Sequence, residues 1–315
     1  MIWILWHKRV GDLNQMVALA KALDLPYQIK KLQFRKPHYA PLSRLLLQNA
    51  SELNAPYPKL VLSAEAMCSN IAHHVKKNSG GTVKTVALAR PCGDPAKFDL
   101  VLTTAQYGLN GTNVVTLNLP LTVEPKPAPT RREASTMLLL VGGTAPPDIL
   151  DGSTAEKICM DLKLHKNLCV LTSPRTPDHV AQIFARHFSN THIWQKGKAN
   201  PYAEKLATAA HIIVTSDSAS MLADALVQQV PVEVYKLPQR LNILQRLVLQ
   251  LHRTWPKCFI FNLGHIEPTP NRLALVDHLV KQGFVSWFGV KSETATFFDP
   301  KLDVQAAKTV IMSIL

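Results

Sequence analysis

The chain lacks any apolar run near the roughly 20 residues a membrane-spanning helix needs, and it has no C-x-x-C pair. Its five cysteines, Cys68, Cys92, Cys159, Cys169 and Cys258, are odd in number and scattered. That pattern argues against a disulfide framework and against a cysteine zinc site, and it fits a reducing cytoplasm. Three phosphate signatures are also missing: there is no Asp-x-Asp, no G-x-x-x-x-G-K-[ST] and no G-x-G-x-x-G. Their absence argues against a nucleotide-hydrolysing engine and against a standard dinucleotide dehydrogenase. His73, His74 and the other histidines lack ligand spacing, so no metal site is expected.

Acidic residues are scarce: 22 Asp and Glu stand against 35 Lys and Arg, a formal net charge of +13. Such a balance implies an anionic partner, either nucleic acid, a membrane surface or a phosphate-bearing ligand. Residues 1–135 hold 17 Lys and Arg against 8 Asp and Glu, so the excess sits mainly in the first half. No aromatic-interleaved basic stripe accompanies it, and no nucleic-acid partner is expected.

A length of 315 residues suits two domains. Met1 to Trp6 is apolar but precedes Lys8 and Arg9, the reverse of a secretory signal, and reads as a first strand. A helix is expected over Asn14 to Leu23, then strands at Tyr27 to Leu32 and Leu60 to Leu62, a helix over Met67 to Lys77, and strands at Thr82 to Ala87, Leu100 to Thr103 and Val114 to Leu117. Prolines between Pro120 and Thr136 mark a linker. The alternation resumes with strands at Met137 to Val141, Leu168 to Thr172, Thr191 to Trp194, His211 to Val214 and Val232 to Tyr235. The helices between them are expected over Thr154 to Leu162, Pro177 to His187, Tyr202 to Ala209 and Ser220 to Val227. The expected architecture is α/β, with two Rossmann-like domains, 1–125 and 136–315, facing a central cleft.

Ligands of open α/β folds bind at the carboxyl ends of the strands, and four loops there carry suitable chemistry. The turn after His211 to Val214 crowds Thr215, Ser216, Asp217, Ser218 and Ser220 ahead of a helix. A helix N-terminus and the hydroxyls of Ser216, Ser218 and Ser220 suit a diphosphate; equally, Asp217 or Ser218 alone would cap the helix and leave the other hydroxyls in water. Gly142 and Gly143 follow a strand and let a ligand approach the backbone, though glycine pairs are common in ordinary loops. Arg175, between Ser173 and Pro177, suits bidentate phosphate contact, where the plain alternative is a cap followed by a proline. In His7 to Gln15, Gly11 reads as a turn, Asp12 as a proton acceptor or an N-cap, and Asn14 and Gln15 as contacts to a polar substrate.

Read in order, the chain carries GDLNQ (Gly11 to Gln15) ahead of ALAKAL, then FDLV (Phe98 to Val101), GTNV (Gly111 to Val114) and VGG (Val141 to Gly143). TSPRTP (Thr172 to Pro177), NPY (Asn200 to Tyr202) and TSDSASM (Thr215 to Met221) follow. In these motifs it resembles the mitochondrial-fission (elongated-mitochondria) family of GT-B-like, glycosyltransferase-type proteins, and TSDSASM is the most specific match. The resemblance implies a nucleotide-sugar donor in the second domain, contacted by Gly142, Gly143, Ser173, Arg175, Asn200, Tyr202, Ser216, Asp217, Ser218, Ser220, Met221 and Asp224. It places the acceptor in the first domain, near Gly11, Asn14 and Gln15, with Asp12 as the base.

Asp224 stands where GT-B enzymes carry Glu, Asp12 where many family members carry His, and Ser63, Ala64 and Glu65 where a glycine is commoner. The implied activity is metal-independent transfer, without a cofactor, to a lipid-linked or lipopolysaccharide-type glycolipid acceptor at the cytoplasmic membrane face. The basic first half would hold the protein on anionic lipid at about 1 kcal/mol per basic residue near the surface. Two rival readings are a non-catalytic, membrane-associated adaptor that recruits a remodelling partner, and a nucleotide-sugar epimerase of the same architecture.

Overall fold

Every pairing between named strands is parallel, in two separate six-stranded sheets. The computed structural model describes residues 1–36, 43–121, 136–165, 167–254, 269–290 and 296–315. The chain divides into unit 1 (Met1–Glu124, Ile243–Pro270, Pro300–Leu315) and unit 2 (Pro125–Asn242, Asn271–Asp299).

Unit 1 contains β1 (Ile2–Trp6), α1 (Val10–Ala22), β2 (Tyr27–Lys31), the one-turn α2 (Ser43–Leu46), β3 (Leu60–Ser63), α3 (Ala66–Asn78), β4 (Lys84–Leu88), β5 (Leu100–Thr104) and β6 (Val114–Leu117). Its sheet order is β2-β1-β3-β4-β5-β6, so the chain reverses direction across the sheet between β1 and β3. Successive side chains of a strand point to opposite faces, and β1 is buried on both. Ile2 and Ile4 join one core with Met16, Leu19 and Ala20 of α1. Trp3 and Leu5 join the other with Met67, Cys68, Ile71 and Val75 of α3. A strand covered on both faces reads as an unbroken apolar run, which is why Met1 to Trp6 is legible.

Unit 2 holds β7 (Met137–Val141), α4 (Gly152–Leu162), β8 (Leu168–Thr172), α5 (Asp178–His187), β9 (Thr191–His192), α6 (Tyr202–Thr208), β10 (His211–Thr215), α7 (Ala219–Leu226) and β11 (Val232–Tyr235). After it come α8 (Ile243–Thr254), α9 (Arg272–Lys281), β12 (Ser286–Trp287) and α10 (Pro300–Ile314), none of them assigned from sequence. The order β12-β11-β10-β7-β8-β9 places the reversal between β7 and β10. Ligands bind at such switch points in doubly wound folds.

Three expectations change. First, α1 begins at Val10, so Gly11 and Asp12 lie in its first turn and Arg9 occupies the N-cap. No side chain caps the helix; its first bond runs from the Leu13 amide to the Arg9 carbonyl at 3.2 Å, and Glu65 Oε1 holds the approach by accepting the amides of Lys8 and Arg9 at 3.1 and 3.2 Å. Second, the strand expected to Trp194 stops at His192, and the Trp194 amide bonds Thr172 Oγ1 at 2.9 Å. Third, the span 136–315 is not one domain, because α8 and α10 group with unit 1. Helix α10 buries Ala307 and Ile311 in the α1 core, and its buried Asp303 accepts Asn118 Nδ2 at 2.8 Å and the Leu119 amide at 3.0 Å. Of the linker expected between Pro120 and Thr136, residues 122–135 lie outside the described residues. Among the described residues, no helix is long and apolar enough to cross a membrane.

Candidate functional site

At the switch point of unit 2, the loops after β7, β8 and β10 are joined by one buried carboxylate. Asp217 is 2% exposed. Its Oδ2 accepts the Gly143 amide at 2.8 Å and its Oδ1 the Thr215 hydroxyl at 2.7 Å, while the Gly142 amide donates to Thr215 Oγ1 at 2.9 Å. From the third loop, Ser173 Oγ and Thr176 Oγ1 both donate to the Gly142 carbonyl, and Thr176 Oγ1 accepts the Ser173 amide at 2.8 Å. Arg175 Nη2 approaches Asp217 Oδ2 at 3.5 Å, with its side chain 47% exposed. Burial pushes the Asp217 carboxyl above its ordinary value, against the pull of the Gly143 amide, Thr215 and Arg175.

This network changes the meaning of several predicted site residues. A Cβ on Gly142 would overlap the Asp217 carboxylate oxygens, and one on Gly143 the Arg175 carbonyl. What approaches these glycines is therefore the protein's own Asp217 and Arg175. The Ser216 hydroxyl accepts the Leu237 amide at 3.0 Å. Ser218, the N-cap of α7, accepts the Met221 amide at 3.4 Å. Ser216 and Ser218 are each 4% exposed, Met221 8% and Ser173 6%, so their side chains face the interior because the loops need them as hydrogen-bond partners or packing. Of the residues expected around α7, Ser220 is exposed and Asp224 half-buried. Asp224 Oδ2 accepts the Tyr202 hydroxyl at 2.9 Å, and Asn200 Oδ1 accepts the Tyr202 amide at 3.0 Å, so these three form one cluster. Burial raises the Asp224 carboxyl, opposed by the Tyr202 hydrogen bond.

Sequence reasoning left Thr176 and Thr215 without a role and missed Asp148, Gln239 and Arg272. Asp148 is 1% exposed; it pairs with Arg272 Nη1 at 3.1 Å and accepts Gln239 Nε2 at 3.0 Å. The same Arg272 nitrogen donates to the carbonyls of Ala145 and Pro146 at 3.0 and 3.1 Å, pinning the loop that follows Gly143. Sequence separations of 91 and 124 residues hid those partners. The threonines were visible as hydroxyls, Thr215 at the end of β10 and Thr176 in the loop after β8.

In unit 1, Asp12 and Gln15 line a cavity of about 60 Å³ at the carboxyl ends of β4 to β6, with Ala89, Thr103, Gln106 and Tyr107. Gly11 and Asn14 are exposed on α1 and are not among the residues lining it. Ala89 holds φ 64°, a left-handed conformation that costs a non-glycine residue energy. Thr103 Oγ1 is buried with no hydrogen-bond partner among the described residues. Burial raises the Asp12 carboxyl above its ordinary value, the Arg9 charge opposes the rise, and the Glu65 charge adds to it. Among the described residues, no three His, Cys, Asp or Glu side chains converge as metal ligands.

The family model described as Mitochondrial fission ELM1 matches residues 10–256. No curated protein matches the chain. Among solved structures, HepE of Anabaena, in complex with UDP and glucose, is 9% identical over 99% of both chains, with a TM-score of 0.50. The kitacinnamycin glycotransferase is 9% identical over 99% of this chain and 90% of its own, also with a TM-score of 0.50. At this identity the likeness is one of fold, two Rossmann-like α/β units of the kind found in GT-B-like proteins.

Proposed function

The chain belongs to the mitochondrial fission ELM1 family, and we propose that it is a metal-independent glycosyltransferase that moves a sugar from a nucleotide-sugar donor to a lipid-linked or lipopolysaccharide-type acceptor. The observation that carries this reading is Arg175: a half-exposed guanidinium held on the buried Asp217 carboxylate directly before α7. There it stands with the leading amides of that helix, which have no partners within the helix, and with the exposed Ser220. In the proposed reaction the bond between the anomeric carbon and the diphosphate oxygen breaks. Arg175 and the α7 dipole stabilise the leaving charge where other enzymes use a divalent ion. The free oxygen of Asp224 accepts a ribose hydroxyl. The acceptor oxygen bonds to the anomeric carbon, and its proton passes to Asp12, which burial has made more basic than an ordinary carboxylate. The excess of basic residues in the first 135 positions supports an anionic membrane surface as the place of the acceptor.

The test is calorimetry without divalent metal, using UDP, GDP, CMP and ADP sugars, with UDP first because HepE was solved with it. One class is expected to bind at micromolar affinity, equivalent to about 8 kcal/mol. Arg175→Ala should weaken it about tenfold or more, the worth of a charge-assisted hydrogen bond. No binding by any donor, or equal binding by the variant, overturns the reading.

One observation favours the adaptor as a second reading. The side chains of Ser216, Asp217 and Ser218 serve the scaffold, and a non-catalytic protein would keep them to fold. Arg175 therefore discriminates better than Asp217. Loss of a cellular phenotype in a folded Arg175→Ala protein supports the enzyme, and no effect supports the adaptor.

A further inference from the structure

Helix α8 turns its largest aliphatic side chains to solvent. Ile243, Leu244 and Leu247 are 78%, 68% and 58% exposed, where a surface helix ordinarily presents charge. Val248 and Leu251, both half-buried, continue the same stripe at positions i+4 and i+7 from Leu244. Exposed Arg246 lies beside it. The surrounding sequence has one sign of charge: from 234 to 266 it carries Lys236, Arg240, Arg246, Arg253 and Lys257 and no Asp or Glu.

We propose that α8 is a lipid-docking helix that lies in the plane of an anionic membrane surface, with Ile243, Leu244 and Leu247 below the headgroups. Apolar stripe and basic flank together are the two features such helices need. At 12 residues α8 is about 18 Å long, too short to span a bilayer and suited to lying on it. A second copy of the chain fits less well, because a two-fold contact through α8 would bring two basic segments together. Anionic headgroups supply the opposite charge. The assignment rests on the proposed lipid-linked acceptor only for its biological use; the docking itself is independent of sugar transfer.

The experiment is co-sedimentation of the full chain with vesicles of phosphatidylcholine alone and of phosphatidylcholine with about one third phosphatidylglycerol. The wild-type chain should partition onto the anionic vesicles, with about tenfold weaker binding to the neutral ones and in high salt. Leu244→Glu with Leu247→Glu should reduce the partition about tenfold or more, with an unchanged melting curve because both side chains are exposed. If that pair melts early, Arg246→Glu carries the same test. Equal binding to both vesicles, no binding to either, unchanged binding by the variants, or a concentration-dependent dimer abolished by Leu244→Glu each overturns the proposal. Donor calorimetry on the same variants separates the two readings: lost vesicle binding with intact donor binding concerns α8, and lost donor binding in wild type concerns the glycosyltransferase.

Discussion

Replacing Asp217 by Ala and by Asn separates the two things this side chain does. In Ala, the buried Gly143 amide loses its acceptor, and the Thr215 hydroxyl loses its short bond and keeps only the Leu140 carbonyl 3.5 Å away. Each orphaned buried group costs about 1 to 3 kcal/mol, and relief from burying a charge offsets part of the sum. A net loss of about 3 kcal/mol is expected. Asn is different. Its carbonyl can accept the Gly143 amide while its amino group donates to Thr215 Oγ1, whose hydrogen turns to the Leu140 carbonyl 3.5 Å away. That variant should stay within about 1 kcal/mol of wild type. Urea unfolding followed by circular dichroism measures both, and hydrogen exchange at the Gly143 amide reports the local bond. A loss below about 1 kcal/mol for Asp217→Ala, or equal losses for Ala and Asn, would refute the reasoning.

Gly142 supplies a second arm of the same test. A Cβ there overlaps the Asp217 carboxylate oxygens, so Gly142→Ala should destabilise wild type strongly. Shortening residue 217 to Ala removes the obstructing atoms. The double variant should then be more stable than the sum of the single losses predicts, by about 1 to 3 kcal/mol. Strict additivity would mean that the glycine is there for another reason.

Asp12→Asn should stabilise the protein at pH 7. Burial raises the folded carboxyl above 3.8, so its stabilising contribution is present below that pH and is lost as pH rises through the folded value. The gap between variant and wild type, followed by thermal melts across the acid range, should therefore close as pH falls below 3.8. Asp303→Ala should cost about 2 to 4 kcal/mol and weaken unit 1 selectively, because the Leu119 amide and Asn118 lose a buried acceptor. Hydrogen exchange in β1 and α1 measures that effect, and protection lost only in unit 2 would contradict the placement of α10.

How much of this was legible depends on where the signal lies. Runs such as MLLLV and LCVLT announce β7 and β8 because both faces of those strands are covered. The two-residue β12 is too short to show any period. Helix α10 does show one, since Val304, Ala307 and Ile311 are spaced for a single face, yet no local pattern tells which core that face joins. The chain leaves unit 1 after Glu124 and returns to it at Ile243 and again at Pro300; the second return shows in Ala307 and Ile311 packed in the α1 core and in the Asp303 bonds to Asn118 and the Leu119 amide, 185 and 184 residues away. At the site, the glycine pair and the hydroxyl-rich turn were visible, but a missing Cβ shows only that something comes close. Here that something is a carboxylate from the neighbouring loop. The TSDS motif thus has a folding reason of its own, and under the proposed reading a donor would meet the half-exposed Arg175, the exposed Ser220 and the oxygen of Asp224 that Tyr202 does not engage.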